Sequence, residues 1–191
     1  MAPRLRSGSE LVVEQAPLRP AAALMLLYEH GGDWYVPLTV RGAALRHHTG
    51  QISLPGGRVD GGESIEGAAV REAQEEVGVS PSAVEVLGRL TPLPVWISGH
   101  LLYPVVGVAR ERPAFSLAIP EVERLVEVPL VRLLQPDVVH WETRTRATPP
   151  YETMDVPYFD VPGARVWGAT AMVLAEFLAL VEGFGGVPEG V

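Results

Sequence analysis

The sequence predicts a single α/β domain. Three observations support this fold class. Of the 191 residues, 47% are hydrophobic, which is enough for a sizeable core. Short apolar runs of strand length recur along the chain, and two longer segments have the composition and periodicity of helices. We expect an N-terminal extension over residues 1–17, the domain over 18–185 and a loose tail over 186–191.

The first predicted elements are two strands. The run Ala21–Tyr28 follows two prolines and is far shorter than the roughly 20 residues of a membrane span, so it is typical of a buried strand. A second apolar run, Trp34–Val40, has the same character. The run Ala21–Tyr28 is also too late and too poorly flanked for a signal peptide.

A helix is predicted next, from about Ser64 to Val77. Ser64 can cap its start, its interior is rich in alanine, and Gly78 occupies the position where a left-handed residue ends a helix. At about 100° per residue, one arc is apolar and consists of Ile65, Ala69, Val70, Ala73 and Val77. The neighbouring arc carries Ala68 and three carboxylates, those of Glu72, Glu75 and Glu76.

These three carboxylates are costly for an isolated helix. Like charges at i, i+3 and i+4 each destabilise a helix by roughly 0.2–0.5 kcal/mol, and acids in the last turn oppose its dipole. Arg71 is the only nearby cation on the helix. Clustered carboxylate oxygens without sulfur or imidazole are typical ligands of a hard ion, so the pattern predicts a site for Mg²⁺ or Mn²⁺.

The elements after this helix continue the alternation. Strands are predicted over Val84–Leu90 and Tyr103–Ala109, and an extended stretch over Glu123–Val128 leads into Pro129–Leu134. Aromatic residues among prolines predict an irregular hairpin from Val138 to Val161. A final apolar helix is predicted over Ala169–Glu182, ended by glycines.

The composition narrows the class of protein. The formal net charge is −8 and the basic residues form no patch, so nucleic acid and membrane are unlikely partners. The absence of cysteine excludes disulfides and thiolate chemistry. We therefore expect a cytoplasmic enzyme with a small-molecule substrate, and the oligomeric state stays open.

The segment Gly57–Val79 resembles the signature of the Nudix hydrolases, GX5EX7REUXEEXGU, where U is a bulky aliphatic residue. Every fixed position matches, and Ala73 is smaller than the usual residue at one U position. The resemblance implies an α/β/α sandwich around a mixed β-sheet and hydrolysis of a nucleoside diphosphate linked to another group.

The same resemblance implies roles for the acidic residues. Glu72 and Glu76 are the expected principal metal ligands, with Glu75 as a third ligand or the general base. Glu63 is expected to reach a second metal or Arg71, and Arg71 to orient a glutamate rather than to touch substrate. Two further candidates for the base, which can equally be solvated acids, are Glu121 and Glu123.

A second motif resembles the coenzyme A pyrophosphatases of this family. It consists of Leu38–Arg41, then Arg46, Gly50 and Leu54–Gly57, with Gly42 and Leu54 departing from the usual residues. Later segments also resemble that subfamily: Ser98–Gly99 and Tyr103–Gly107, then Glu121–Val122 and Val128–Leu130, and lastly Val166–Ala171.

Residue chemistry agrees with this resemblance. A substrate with a pyrophosphate and a 3′-phosphate needs fixed cations beside glycines that allow close backbone approach. Arg41 and Arg46, with Gly56 and Gly57, are therefore the expected substrate-binding residues. Both arginines could instead be surface salt-bridge partners.

Three hypotheses for function follow. The first is hydrolysis of coenzyme A to 3′,5′-ADP and 4′-phosphopantetheine. The second is a Nudix enzyme that acts on another nucleotide, such as ADP-ribose, NADH or a damaged nucleoside triphosphate. The third is a non-catalytic Nudix domain, which loss of a signature glutamate would favour, although all of them are present. A preference among free, oxidised and acylated coenzyme A stays open.

Overall fold

The computed structural model of the chain describes residues 17–42, 51–119, 121–145 and 152–183. Its elements, in chain order, are β1 (Arg19–His30), β2 (Asp33–Arg41), β3 (Ile52–Ser53), β4 (Gly56–Arg58), α1 (Ile65–Val77), a 3-10 turn (Pro81–Ala83), β5 (Glu85–Arg89), β6 (Leu93–Val95), β7 (His100–Ala109), β8 (Val122–Pro129), α2 (Leu130–Leu133), β9 (Val139–Thr145), β10 (Thr153–Val161), β11 (Ala164–Trp167) and α3 (Gly168–Gly183). All strands and helices expected from the sequence are present, within a few residues at their ends.

Within the described residues, eight strands form one mixed sheet. The order along it is β3-β2-β1-β7-β5, while β4 pairs with β1, β6 with β7 and β8 with β2. β1 and β7 are parallel over the whole length of β7, from the pair Arg19 and His100 to the pair Tyr28 and Ala109. The other pairs are antiparallel. β1 therefore lies at the centre, with partners on both sides.

β1 is apolar on both faces because both faces of the sheet are covered. Its alternate residues Leu24 and Leu26 belong to one hydrophobic cluster, and Met25 and Leu27 to another. This explains why the run reads as continuous in the sequence rather than alternating.

α1 covers the first face. Ala69, Ala73 and Val77 are buried against β1 and β7. The predicted ends of the helix are confirmed, because the Ser64 side chain accepts a hydrogen bond from the Gly67 amide and Gly78 is left-handed, with φ 74°. Ala68, which the helical wheel places beside the carboxylates, is instead fully buried.

The second face is covered by α2, α3 and a small three-stranded sheet. The buried α3 residues Leu174 and Phe177 pack in one cluster with Met25 of β1 and Phe159 of β10. Helices thus lie on both sides of a mixed sheet, and the predicted α/β/α sandwich is confirmed.

The small sheet has the order β11-β10-β9 and is antiparallel. The expected hairpin exists, but the expectation of irregularity is wrong, because β9 and β10 keep an unbroken register from Thr145 and Thr153 to Val139 and Phe159. Pro157 does not interrupt the sheet because β11 begins to pair only at Tyr158, which leaves the proline a partner on one side alone.

Three strands of the large sheet have no counterpart in the sequence prediction. β3, β4 and β6 span only two or three residues each, too few to show a period of two. β4 contains two glycines and exists because its backbone pairs with β1. Among the described residues, no helix is long and apolar enough to cross a membrane.

Candidate active site

Two of the three carboxylates of α1, those of Glu72 and Glu76, lie against β4. The Gly56 amide donates a hydrogen bond to Glu76 Oε2 at 3.1 Å. A Cβ atom on Gly57 would lie 2.5 Å from the carboxylate of Glu72, far inside a normal contact. The strand can therefore approach the helix this closely because Gly57 lacks a side chain.

Arg71 is the centre of a network of ion pairs. Its Nε and Nη2 donate to the two oxygens of Glu63 at 3.1 and 2.9 Å. Its Nη1 donates to Glu72 Oε1 and to Glu75 Oε2, both at 2.9 Å. Nη2 also donates to the backbone carbonyl of Arg58 at 3.0 Å. One planar guanidinium thus joins the helix, the preceding loop and β4, as the predicted orienting role requires.

The most buried carboxylate of the site is that of Glu76. Its pKa is raised to about 7, first by burial and then by the negative charges of Glu72 and Glu121. The Gly56 amide and the positive charge of Arg41 oppose the shift. At neutral pH, Glu76 is therefore near the midpoint of its titration, and a nearby cation would favour its ionised form.

The pKa values of two other carboxylates in the network are shifted in opposite directions. Burial raises the pKa of Glu72, and its pairing with Arg71 only partly opposes this. The pKa of Glu63 is lowered, first by the hydrogen bonds from Arg71 and then by the Asp60 amide. The arginine therefore holds Glu63 firmly ionised, while Glu72 keeps an incompletely compensated negative charge.

The residues present fit a divalent cation in their chemistry. Glu72 and Glu76 supply oxygen atoms only, and their raised pKa values show that the protein does not fully compensate their charges. Among the described residues, no group of three acidic or histidine side chains converges closely enough to hold an ion. Arg71 instead pairs with Glu72 and Glu75, and the latter has a side chain 59% exposed.

The two further candidates for the general base, Glu121 and Glu123, differ in whether they act on Glu76. Glu121 acts on the pKa of Glu76, and its carbonyl accepts a hydrogen bond from the Gly42 amide at 2.8 Å. Glu123 is exposed on β8. The structure therefore brings Glu121 into the electrostatic environment of the site and records no such link for Glu123.

Arg41 stands at the end of β2, where a cleft of about 440 Å³ begins. Its Nε is buried and has no hydrogen-bond partner among the described residues, and none of them forms an ion pair with its guanidinium. Gly56 and Gly57 line the same cleft. Three of the four predicted substrate-binding residues thus meet, and the fourth, Arg46, lies outside the described residues.

The cleft also contains residues that the sequence analysis did not select. His100 and Arg58 line it, as does Trp167, whose ring lies 3.8 Å from the guanidinium carbon of Arg144. Ser98, and Trp167 with Gly168, fall in the first and last of the later segments that resemble the coenzyme A subfamily, although no chemical role was assigned to them. That resemblance was the available signal, but it did not indicate a chemical role for His100.

Comparisons with known proteins agree with this geometry. The family model described as the NUDIX domain matches residues 17–147. Nudix hydrolase 15, a mitochondrial protein of Arabidopsis thaliana, is 36% identical over 168 residues, which are 83% of this chain and 56% of that protein. A Salmonella paratyphi B protein, the uncharacterized Nudix hydrolase NudL, is 39% identical over 150 residues, which are 76% of this chain and 74% of the relative.

Solved structures give the same result. The Nudix hydrolase RenU of Mycobacterium smegmatis superposes with a TM-score of 0.52 at 30% identity, covering 60% of this chain and 72% of that one. The chain described here spans little more than half of the plant relative, so activity and substrate need separate arguments.

Proposed function

The chain belongs to the Nudix family, and from this premise we propose that it hydrolyses the pyrophosphate bond of coenzyme A or its derivatives. The products are 3′,5′-ADP and 4′-phosphopantetheine. The observation that carries the proposal is the position of Arg41, whose buried Nε has no partner among the described residues, where the carboxylate helix meets a substrate-sized cleft.

The residues of the site divide the work of such a hydrolysis. Glu72 and Glu76, with Glu75, would hold Mg²⁺ or Mn²⁺. When bound, such an ion neutralises phosphate charge and makes water a better nucleophile. Arg71 holds Glu72 and Glu63 in place through its fork, and Gly57 leaves the space beside Glu72 open.

Arg41, Gly56 and Gly57 are proposed to bind the phosphates. An arginine N–H and backbone groups free of side chains suit a pyrophosphate, because phosphate oxygens accept several hydrogen bonds at once. The lack of an ion pair on Arg41 among the described residues argues against its being a salt-bridge partner. Arg46 follows in the same motif, and its role rests on that motif alone.

The general base has three candidates, Glu75, Glu121 and Glu123. Glu75 is exposed yet held by Arg71, and Glu121 acts on the pKa of Glu76. Replacing each in turn by glutamine distinguishes them, because loss of the base lowers kcat and removes the acidic limb of the pH profile. The expected cytoplasmic location stays a prediction.

The direct test is a substrate panel. Purified protein with Mg²⁺ or Mn²⁺ is assayed against coenzyme A, dephospho-coenzyme A, ADP-ribose and NADH, with the products identified by mass. We expect 3′,5′-ADP and 4′-phosphopantetheine from coenzyme A, and no turnover in EDTA. If ADP-ribose is cleaved as fast as coenzyme A and its dephospho form, the coenzyme A proposal is wrong.

A variant of Arg41 tests which phosphate of the substrate this arginine binds. A charge-assisted contact to phosphate is worth about 1.5–3 kcal/mol, roughly tenfold to a hundredfold in kcat/KM. If Arg41 holds the 3′-phosphate, Arg41→Ala slows coenzyme A alone; if it grips the pyrophosphate, the variant slows both coenzyme A and the dephospho form equally. The exposed Arg110→Ala is the matched control.

A further inference from the structure

The cleft beside Arg41 lies on the α3 side of the sheet, opposite the face that α1 covers. Its floor is formed by Ala21 and Ala23 of β1 with Leu102 of β7, and α3 contributes Val173. The two alanines are small, which leaves the volume above the strand open. The cleft and the carboxylate helix therefore meet at β4, whose Gly56 and Gly57 have contacts on both sides, and beside Arg41, whose charge acts on Glu76.

The strand register gives the cleft two distinct ends. Ala23 pairs with Gly56, next to the carboxylate helix. At the start of the same strand, Arg19 pairs with His100. The two pairs are four strand residues apart, which corresponds to about 13 Å. A substrate whose pyrophosphate lies at Gly56 therefore has room to extend an arm toward His100.

His100 presents an unusual atom at its end of the cleft. Its Nε2 is buried and has no hydrogen-bond partner among the described residues. The pKa of the ring is lowered, first by burial and then by the positive charges of Arg19 and Arg58, so the neutral form is favoured. A hydrogen bond to the backbone of Ser98 opposes this shift.

The neutral ring makes Nε2 an acceptor. One nitrogen of a neutral imidazole donates and the other accepts. Nε2 has no partner among the described residues, and the backbone of Ser98, which favours a proton on the ring, leads us to assign that proton to Nδ1. The buried acceptor thus lacks a donor, and a ligand N–H or O–H can supply one.

We propose that His100 is a specificity-determining residue, whose Nε2 accepts a hydrogen bond from a donor on the substrate arm beyond the pyrophosphate. This rests on the proposed function, in which the arm is pantetheine and the donor one of its amide N–H groups. The apolar side chains of Val95, which pairs with His100, and of Ile97 line the cleft and fit an uncharged chain with occasional polar groups. The adenine end of the substrate then lies outside it.

The test compares His100→Leu with His100→Gln. Leucine removes the acceptor, whereas the glutamine carbonyl can replace it near the same place. Calorimetry gives Kd for the two product halves, 4′-phosphopantetheine and 3′,5′-ADP, and steady-state kinetics give kcat and KM for coenzyme A. The matched control is His30→Leu at the exposed end of β1. Thermal melting confirms that each variant is folded.

We expect His100→Leu to bind 4′-phosphopantetheine about tenfold more weakly, because one hydrogen bond is lost. The Kd for 3′,5′-ADP should not change, KM for coenzyme A should rise about as much as the Kd, and His100→Gln should recover most of the affinity. The melting temperature of His100→Leu should equal or exceed that of the wild type, because a buried atom without a partner is removed.

Two results would overturn the proposal. In the first, His100→Leu has the same Kd for 4′-phosphopantetheine and the same KM for coenzyme A as the wild type. In the second, the variant binds 3′,5′-ADP alone more weakly, which would place adenine at His100. Failure of the proposed function looks different: the wild type then ignores coenzyme A and cleaves another nucleotide. If His100→Leu then raises KM for that nucleotide and His100→Gln does not, the result still supports His100 as the acceptor for the arm of that nucleotide.

Discussion

Neighbouring glycines in β4 have different surroundings. A Cβ on Gly57 would meet the end of the flexible Glu72 side chain at 2.5 Å. A Cβ on Gly56 would meet the backbone of β1, 2.4 Å from the Ala22 carbonyl oxygen and 2.6 Å from the Ala23 Cα. A side chain can move away from a new methyl group, but a paired strand cannot.

Alanine at these two positions should therefore have opposite effects. We expect Gly57→Ala to displace the Glu72 carboxylate and to lower kcat at least tenfold, with a small change in stability. Gly56→Ala should instead reduce the free energy of unfolding by about 1–3 kcal/mol. Urea unfolding and steady-state kinetics on the same samples measure both. Equal stability losses in the two variants would contradict this assignment.

The ionisation of Glu76 makes the stability of the protein depend on pH. Its pKa in the folded protein is about 7 against an ordinary value of 4.5, because it is buried. Between these two values the folded state binds more protons than the unfolded state, so stability falls as pH rises through this window. The cost of ionising Glu76 above pH 7 is at most about 3 kcal/mol.

Without metal, Glu76→Gln should therefore be more stable than the wild type at pH 8. The difference should vanish toward pH 5, where Glu76 is protonated and resembles glutamine. Melting temperatures in EDTA at the two pH values test this, with the exposed Glu85→Gln as the control for losing one charge. A stabilisation that does not depend on pH would exclude burial of the charge as its cause.

Among the elements, α1, the loop before it and β4 are joined by Arg71. Its hydrogen bonds reach Glu63 in the loop, Glu72 and Glu75 on the helix, and the Arg58 carbonyl at the end of β4. Lysine keeps the charge but has no planar fork, so it cannot satisfy these acceptors at the same time.

Arg71→Lys should lower kcat by a factor of ten or more and change KM little, because it displaces glutamates rather than a substrate contact. Arg89→Lys is the matched control, since Arg89 pairs with Glu66 of the same helix through two nitrogens, away from the site. The opposite result, a raised KM with unchanged kcat, would indicate that Arg71 contacts the substrate directly.

Considered as a whole, the molecule has two sheets that share one hydrophobic cluster. Leu174 of α3 is fully buried in it, together with Met25 of the large sheet and Phe159 of the small one. α3 lies between the two sheets in this cluster, so the unfolding of either sheet exposes the same helix.

Leu174→Ala should reduce the free energy of unfolding by about 2–5 kcal/mol, because it leaves a cavity in this shared core. Leu180→Ala, on the same helix but 46% exposed, should change it by less than about 0.5 kcal/mol. Urea unfolding followed by circular dichroism and by tryptophan fluorescence should give one coincident transition. Separate transitions would show that the small sheet unfolds independently.

The prediction from sequence was most accurate where the signals are local. The ends of α1 follow from Ser64 and Gly78, and the main strands follow from apolar runs. It failed for β3, β4 and β6, which are too short to carry a pattern and form because a longer strand pairs with them. It also misplaced Ala68, since a helical wheel cannot show that two neighbouring sides of α1 are covered.

By itself, the sequence determined the fold class and the family and predicted the acidic residues proposed for the metal site, because these depend on spacing along one helix or one motif. Only the tertiary structure decided that Glu76 is buried against Gly56 and that His100 shares a cleft with Arg41. The physical reason is that these arrangements depend on which distant strands pair. β4 and β7 lie on the two sides of β1, and no local preference in the chain encodes that choice.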